Sequence, residues 1–365
     1  MSVHTAPEPS LVQETTHTLE GWPQRGAKQD WSDFIPPERI SILHPWISRH
    51  RQSKLVYVDD ELQANPDESL ATSAEISTAD KEVYGGDPAH AILFRIGNGG
   101  AGYTGLLRVL AERYIATHGS AFRIGWVANH SRHTQVALLG DVVQVALTYE
   151  PGNEDMAVEE GWARRVCRAF HDHFILVGNE RNSVKLEAGM PITEALSKIG
   201  KRAGSGCEDT IFHSRRDGSA TYFKEQELFR AAAVNTADGS SWIHTHRLPP
   251  YEALKRAAGD SRSVYLLTDR ATYLTAKRDG VIPNMRVYAE GGDELLNPCS
   301  ALINPKTPSS PSQRAAGDFA AWLSGTEAQD IVQQYGKGWA HGKALFTVGA
   351  QEEFADEDRL TGLAW

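Results

Sequence analysis

The residues best suited to chemistry form one run, His213-Ser214-Arg215-Arg216-Asp217-Gly218-Ser219-Ala220-Thr221. The apolar residues just before it predict a strand, and the pattern from Tyr222 to Val234 predicts a helix. The run would then gather arginine and hydroxyl groups at a helix N-terminus, where backbone N–H groups lack partners and the helix dipole favours negative charge. This arrangement predicts an anion site that needs no metal.

Structural explanations of the same run carry comparable weight. Arg215 could form an ion pair with Asp217 or another nearby acid, and for this residue the two interpretations have even odds. Ser219 and Thr221, each taken alone, are better explained as helix-capping residues. The combination of all three at one turn favours the anion site.

A second candidate is the glycine-rich loop Gly97-Asn98-Gly99-Gly100-Ala101-Gly102, which lies between a predicted strand and a predicted helix. It satisfies the spacing G-x-G-x-x-G of dinucleotide-binding loops, and so a nucleotide-cofactor (NAD(P)) enzyme is one alternative. The acidic residue expected about 20 positions later is missing, although Arg132 could meet a 2′-phosphate. The loop equally suits a small oxyanion held by converging N–H groups, or a turn that only the fold requires.

The third candidate is the segment Asn129 to Thr134, which is predicted to be a loop and offers Ser131 as a further hydroxyl ligand. Asn129-His130-Ser131 is also a glycosylation sequon. A glycan on a ligand loop would block it, so glycosylation and ligand binding exclude each other here.

Metal and catalytic sites are not predicted. The pairs His171/His173 and His244/His246 have the spacing that puts two rings on one strand face, but no third ligand follows at a recognisable distance, which favours ordinary polar histidines. The chain contains no nucleophile elbow and no phosphate-loop lysine. We therefore expect a non-enzymatic protein with no catalytic residues, no metal and no cofactor.

Composition narrows the class of protein further. The 365 residues are enough for two lobes with separate cores, and the net charge of -10 argues against a nucleic-acid binder. Three widely spaced cysteines form no disulfide framework, and no apolar run could span a membrane. Residues 1–13 lack the basic and apolar pattern of an export signal, which favours a cytoplasmic location.

Strands alternate with helices from Ala91 onward, which predicts an α/β fold. The first unit has β-α-β-α-β order, and a second α/β unit follows. The predicted strands are 91–96, 122–128, 142–149, 173–178, 210–212, 264–267 and 297–305. The predicted helices are 104–118, 155–170, 192–201, 222–234, 251–258, 313–323 and 326–335.

Several ordered motifs resemble the tungstate-binding substrate-binding proteins of ABC transporters, within the type II periplasmic binding protein superfamily. The family run Ser-Arg-Gly-Asp-x-Ser-Gly-Thr-His-x-x-Glu is matched by residues 214–225. Four further signatures agree, at Thr104-Gly105-Leu106-Leu107, His173-Phe174-Ile175-Leu176-Val177-Gly178, Tyr265 to Tyr273 and Asn297 to Pro305. The resemblance covers about Ile92 to Phe346.

The resemblance implies two α/β lobes, each a sheet flanked by helices, that close by hinge motion on a tetrahedral oxyanion such as tungstate or molybdate. The family's hydroxyl-rich first loop is replaced by glycines and one asparagine. The implied ligand-binding residues are Asn98, Gly99, Gly100, Ser131, Arg215, Ser219 and Thr221. The implied divisions are a polar, partly ordered N-terminal extension (1–88), lobe 1 (89–177 and 297–350), lobe 2 (178–296) and a C-terminal tail (351–365).

The implied role is that of a monomeric solute-binding protein, with the membrane component of an ABC transporter as partner if the chain is exported. Members of this family are periplasmic or extracellular. A second possibility keeps the same domain as a sensor or interaction module without a transport role.

Overall fold

The structure is a computed structural model that describes residues 77–361, except positions 120, 218, 237–239, 247 and 306–309. Most of the predicted N-terminal extension, residues 1–76, lies outside the described residues. The described strands are β1 Glu82–Tyr84, β2 Ile92–Asn98, β3 Arg123–Ala128, β4 Val145–Thr148, β5 Arg164–Asn179, β6 Thr210–Ser214, β7 Ile243–Thr245, β8 Ser263–Asp269, β9 Met285–Ala289, β10 Leu296–Ile303 and β11 Thr347–Val348.

Helices flank this sheet and follow most of the strands. They are α1 Gly100–Thr104, α2 Leu106–Thr117, α3 Ser131–Leu139, α4 Pro151–Glu159, α5 Ile192–Gly204, α6 Ala220–Ala231, α7 Pro250–Ala258, α8 Arg270–Arg278, α9 Pro311–Trp322 and α10 Thr326–Gln334. Local sequence explains several helix starts: Ser219 Oγ accepts a hydrogen bond from the Tyr222 N–H, and the Asp269 carboxylate accepts one from Thr272. The mixed α/β class predicted from the sequence is confirmed.

The strands form one curved sheet in the order β1-β3-β2-β4-β10-β5-β8-β6-β7, with β9 and β11 also paired to β5. We call β1 to β4 with β10 the first half and β6 to β9 the second half. Strand β5 belongs to both, because residues 164–173 pair with β10 and residues 174–178 pair with β8. The chain thus passes from one half to the other through β5 and returns through β10.

Apolar side chains are buried in both halves. In the first half, Phe94 and Phe319 pack with ring centroids 5.4 Å apart. In the second half, Phe212 packs against Phe229 at 4.8 Å within a separate cluster. The cluster around Phe94 also includes Val264 and Tyr273 of the second half, so the two halves share part of one core. The exact lobe boundaries given by the resemblance stay a prediction.

Two predictions of local structure are wrong. The predicted helix 155–170 ends at Glu159, and residues from Arg164 onward form the start of β5. Gly161 has φ +77° and ends the helix, and pairing with β10 then fixes the extended conformation. The predicted loop 129–134 is helical from Ser131, because His130 takes the extended conformation of an N-cap.

All three cysteines are free. None of the helices within 77–361 that the structure describes is long and apolar enough to span a membrane.

Candidate functional site

A cavity of about 700 Å³ lies between the two halves. Its first wall comes from the turns after β2 and β3, and its second wall from the turn after β6 and the start of α7. Asp172 of β5, Asp269 of β8 and Asn297 of β10 form the floor where the halves join. Ligands of α/β proteins bind in such crevices beyond the carboxyl ends of strands, so we call this cavity the cleft.

Arg215 lies on the second wall, and contacts with neighbouring residues fix the orientation of its guanidinium. Its Nε donates to the Leu248 carbonyl at 3.1 Å, an Nη contacts the Asp217 carboxylate, and the other Nη lies 3.5 Å from Thr221 Oγ1. Asp217 in turn accepts from the Ser219 N–H at 3.1 Å. The ion pair that competed with the anion site in the sequence is therefore present, and it holds Arg215 at the cleft rather than away from it.

Ser219 and Thr221 lie beside Arg215 at the start of α6, and both line the cleft. Ser219 caps the helix, as its sequence position suggested, while remaining at the cleft wall. A capping serine uses its oxygen as an acceptor and keeps its O–H free to donate. The structural and ligand-binding interpretations of these hydroxyls are thus compatible.

On the first wall, Gly99 and Gly100 reach the cleft but Asn98 is not among the lining residues. Asn98 is fully buried; its Nδ2 donates to the Leu147 carbonyl and its Oδ1 accepts from the Gly102 N–H, both at 2.9 Å. The direct contact expected from the Asn98 side chain is therefore replaced by a positioning role, in which it holds the glycine loop against β4.

Packing explains why the last position of this loop is glycine. A Cβ on Gly102 would lie 2.1 Å from Cζ2 of Trp126, whose indole is almost completely buried and donates to the Asn98 carbonyl. Around Gly100, by contrast, a Cβ would meet nothing within 4 Å. The dinucleotide-like spacing thus includes a glycine that the fold itself requires.

Gly102→Ala is expected to destabilise the protein by about 1–3 kcal/mol, because the added methyl forces the Trp126 ring out of its place. Urea unfolding followed by fluorescence measures this change. The matched variant Gly100→Ala should stay within about 0.5 kcal/mol of the parent. Equal losses in the two variants would contradict this packing argument.

Ser131 also lines the cleft, at the first residue of α3. Its Oγ accepts from the Tyr149 N–H at 3.0 Å, which leaves the O–H available as a donor. The Asn129 amide of the sequon is buried and exchanges two 2.9 Å hydrogen bonds with Ser77. This burial argues against glycosylation of the folded protein.

The cleft is also lined by residues that were not among the predicted ligands. They are His130, His133, Tyr149, Asp172, Asp269 and Asn297. Asp269 and Asn297 lie inside two of the ordered signatures quoted above, so a signal was present. His130 and His133 lie inside the candidate segment 129–134, but their position at the cleft depends on how α3 packs against β4.

Burial raises the pKa of three acids at or near the cleft. Burial raises the pKa of Glu150 to about 7 and that of Glu225 to about 8. Burial, and then the neighbouring Asp269, raise the pKa of Asp172. A raised pKa reduces the negative charge that these three acids contribute near the cleft.

The histidines of the first pair have hydrogen-bond partners within the protein. His171 Nε2 contacts the Gly349 carbonyl and His173 Nε2 contacts Thr347 Oγ1, each at 3.1 Å. His213, His244 and Asp260 do bring three potential ligand atoms within 4.8 Å. However, Arg262 Nη2 lies 2.7 Å from Asp260 Oδ2 and 3.3 Å from His244 Nδ1, so a guanidinium already provides the cation there.

Comparison with known proteins identifies relatives of this chain. The tungstate-binding protein TupA of Peptoclostridium acidaminophilum is 29% identical over 209 residues, which cover 56% of this chain and 68% of that protein. A crystal structure of a periplasmic protein with a proposed metal-binding role is 32% identical, with a TM-score of 0.64, and covers 73% of this chain and 98% of its own. No protein-family model matches the chain.

The likeness in fold extends to more distant structures. TupA of Desulfovibrio alaskensis G20 is 23% identical, has a TM-score of 0.58, and covers 71% of this chain and 99% of its own. At this identity the match shows the fold alone. That fold has two α/β lobes with a cleft between them, as described above.

Proposed function

Because this chain belongs to the family of tungstate-binding, periplasmic-binding-protein-like domains, we propose that it binds a small tetrahedral oxyanion in the cleft. Tungstate and molybdate are the ligands that the relatives suggest. The proposal treats the chain as a binding protein, in keeping with its named relatives, rather than as an enzyme.

The observation that carries the proposal is the position of Arg215. Its guanidinium lies at the second wall within reach of Thr221 and Ser219, opposite Gly99, Gly100 and Ser131 of the first wall. A dianion loses its hydration on entering a cleft, and it is held only if each oxygen receives several donors. Arginine supplies two parallel N–H donors together with charge, while hydroxyls and backbone N–H groups supply the rest.

Closure of the halves would complete the coordination. Arg215 belongs to the second half and Ser131 to the first, and β5 and β10 are the strands that connect the two. A ligand that contacts both halves stabilises the closed arrangement by its differential affinity for it.

A thermal-shift series with tungstate, molybdate, sulfate, phosphate, NAD and NADP tests this proposal. A ligand that binds only the folded state adds about 2.7 kcal/mol at 100 times its Kd, so the melting temperature should rise with tungstate or molybdate concentration. A response to the nucleotides alone, or to none of the anions, would contradict it.

A further inference from the structure

His130 is a cleft residue whose polar atoms have no partner. It occupies the N-cap position of α3 and lines the cleft, yet neither ring nitrogen is exposed to solvent or hydrogen-bonded to any described residue. Its ring centroid lies only 3.7 Å from that of His133. Buried polar groups in native proteins nearly always have a partner, and an orphaned one calls for an explanation. A ligand in the cleft would supply this partner once the ring turns a nitrogen toward the cleft.

The surroundings of His130 are cationic. Burial chiefly, and then His133, Arg132 and Arg215, lower the pKa of His130. Arg132 and His133 belong to α3 itself, and Arg215 faces the ring from the second half. The acids nearby lie beside arginines: Asp217 pairs with Arg215, and Glu150, whose pKa is raised by burial, lies 3.8 Å from Arg132. Asp172 and Asp269 lie further along the floor of the same cleft.

Resting on the oxyanion-binding function proposed above, we propose that His130 is the first half's charged ligand: it donates a hydrogen bond to the bound oxyanion and gains a proton when the anion enters. A neutral imidazole already has one N–H donor, and a dianion beside it favours the protonated ring. This ring would take the place of the hydroxyl donors that the glycine loop lacks.

The affinity for the oxyanion should fall as the pH rises. In the empty cleft the ring is neutral near pH 7, because its pKa lies below the ordinary value. In the occupied cleft the anion raises that pKa. Affinity is therefore greatest below the empty-cleft pKa and falls, by up to about tenfold per pH unit, as the pH rises through the occupied-cleft pKa.

Calorimetric titration with tungstate at about pH 7, in two buffers of different protonation enthalpy, measures the proton uptake directly. The parent protein should take up a fraction of one proton per anion. His130→Gln keeps a side-chain N–H donor but cannot titrate, so its uptake should fall close to zero and its affinity should weaken about tenfold. His118→Gln, at the exposed end of α2, is the matched control and should behave like the parent.

Two results would overturn the assignment. One is parental proton uptake in His130→Gln, above all if His133→Gln abolishes it instead. The other is tungstate binding by the parent protein with no proton uptake. If the parent fails to bind any oxyanion, the proposed function itself fails, and this outcome is distinct from both. If His130→Gln does not fold, the imidazole NMR signals of the parent protein test the assignment instead. The ring of His130 must become protonated on saturation with tungstate.

Discussion

Replacement of Arg215 by alanine is expected to weaken tungstate binding by about 100-fold or more, because two charge-assisted hydrogen bonds of roughly 1.5–3 kcal/mol each are lost. The residue is nine-tenths buried at the cleft wall and fixed by Leu248 and Asp217. Little reorganisation is needed before it meets an anion, so most of its interaction energy is available for binding. Isothermal titration calorimetry measures the change.

Three further variants distinguish the loss of the guanidinium from other effects of the substitution. Arg215→Lys keeps the charge but not the planar fork and should lose about tenfold. Arg216→Lys changes the neighbouring arginine, which does not line the cleft, and should bind like the parent. Arg215→Ala leaves Asp217 unpaired, so the double variant Arg215→Ala/Asp217→Asn is needed as well. Unchanged affinity in Arg215→Ala would remove this residue from the site.

Replacement of Arg270 by alanine is expected to lower the free energy of unfolding by about 3–5 kcal/mol, because it leaves a buried carboxylate without its partner. Arg270 is 1% exposed and pairs with Glu290 at 3.1 Å. Its guanidinium also donates to the carbonyls of Ala344 and Asp358 and lies over the Phe354 ring. Glu290 accepts from two backbone N–H groups at 360 and 361. This pair therefore ties the C-terminal segment to α8.

Urea unfolding measures the loss, and an exposed pair provides the control. Arg278→Ala, which breaks the surface pair with Asp279, should cost no more than about 1 kcal/mol. Arg270→Met/Glu290→Gln removes both charges and should recover much of the stability. Arg270 does not line the cleft, so tungstate affinity should persist in whatever fraction folds. A loss below about 1 kcal/mol would show that the pair is not structural.

Local sequence predicted the parts of the site that depend on neighbouring residues. The run 213–221 does begin at the end of a strand, and Ser219 does cap a helix, since both features depend on residues a few positions apart. Ser131, Arg215, Ser219 and Thr221 lie at one cleft. That they bind a ligand stays a proposal.

Other features of the fold and of the cleft depend on contacts between segments that are far apart in the sequence. Residues 164–170 carry no strong local preference, and their extended form depends on pairing with β10, more than 120 positions later. The orientation of Asn98 depends on a carbonyl of β4, and the cleft position of His130 depends on the packing of α3. Periodicity within a short window contains none of this information.

The anomalous signal of tungsten in crystals grown with tungstate tests the central claim most directly. The account predicts one strong peak in the cleft, within hydrogen-bonding distance of Arg215 and of hydroxyls from Ser131 and Thr221. A peak elsewhere on the protein, or none in the cleft at a saturating concentration, would contradict it.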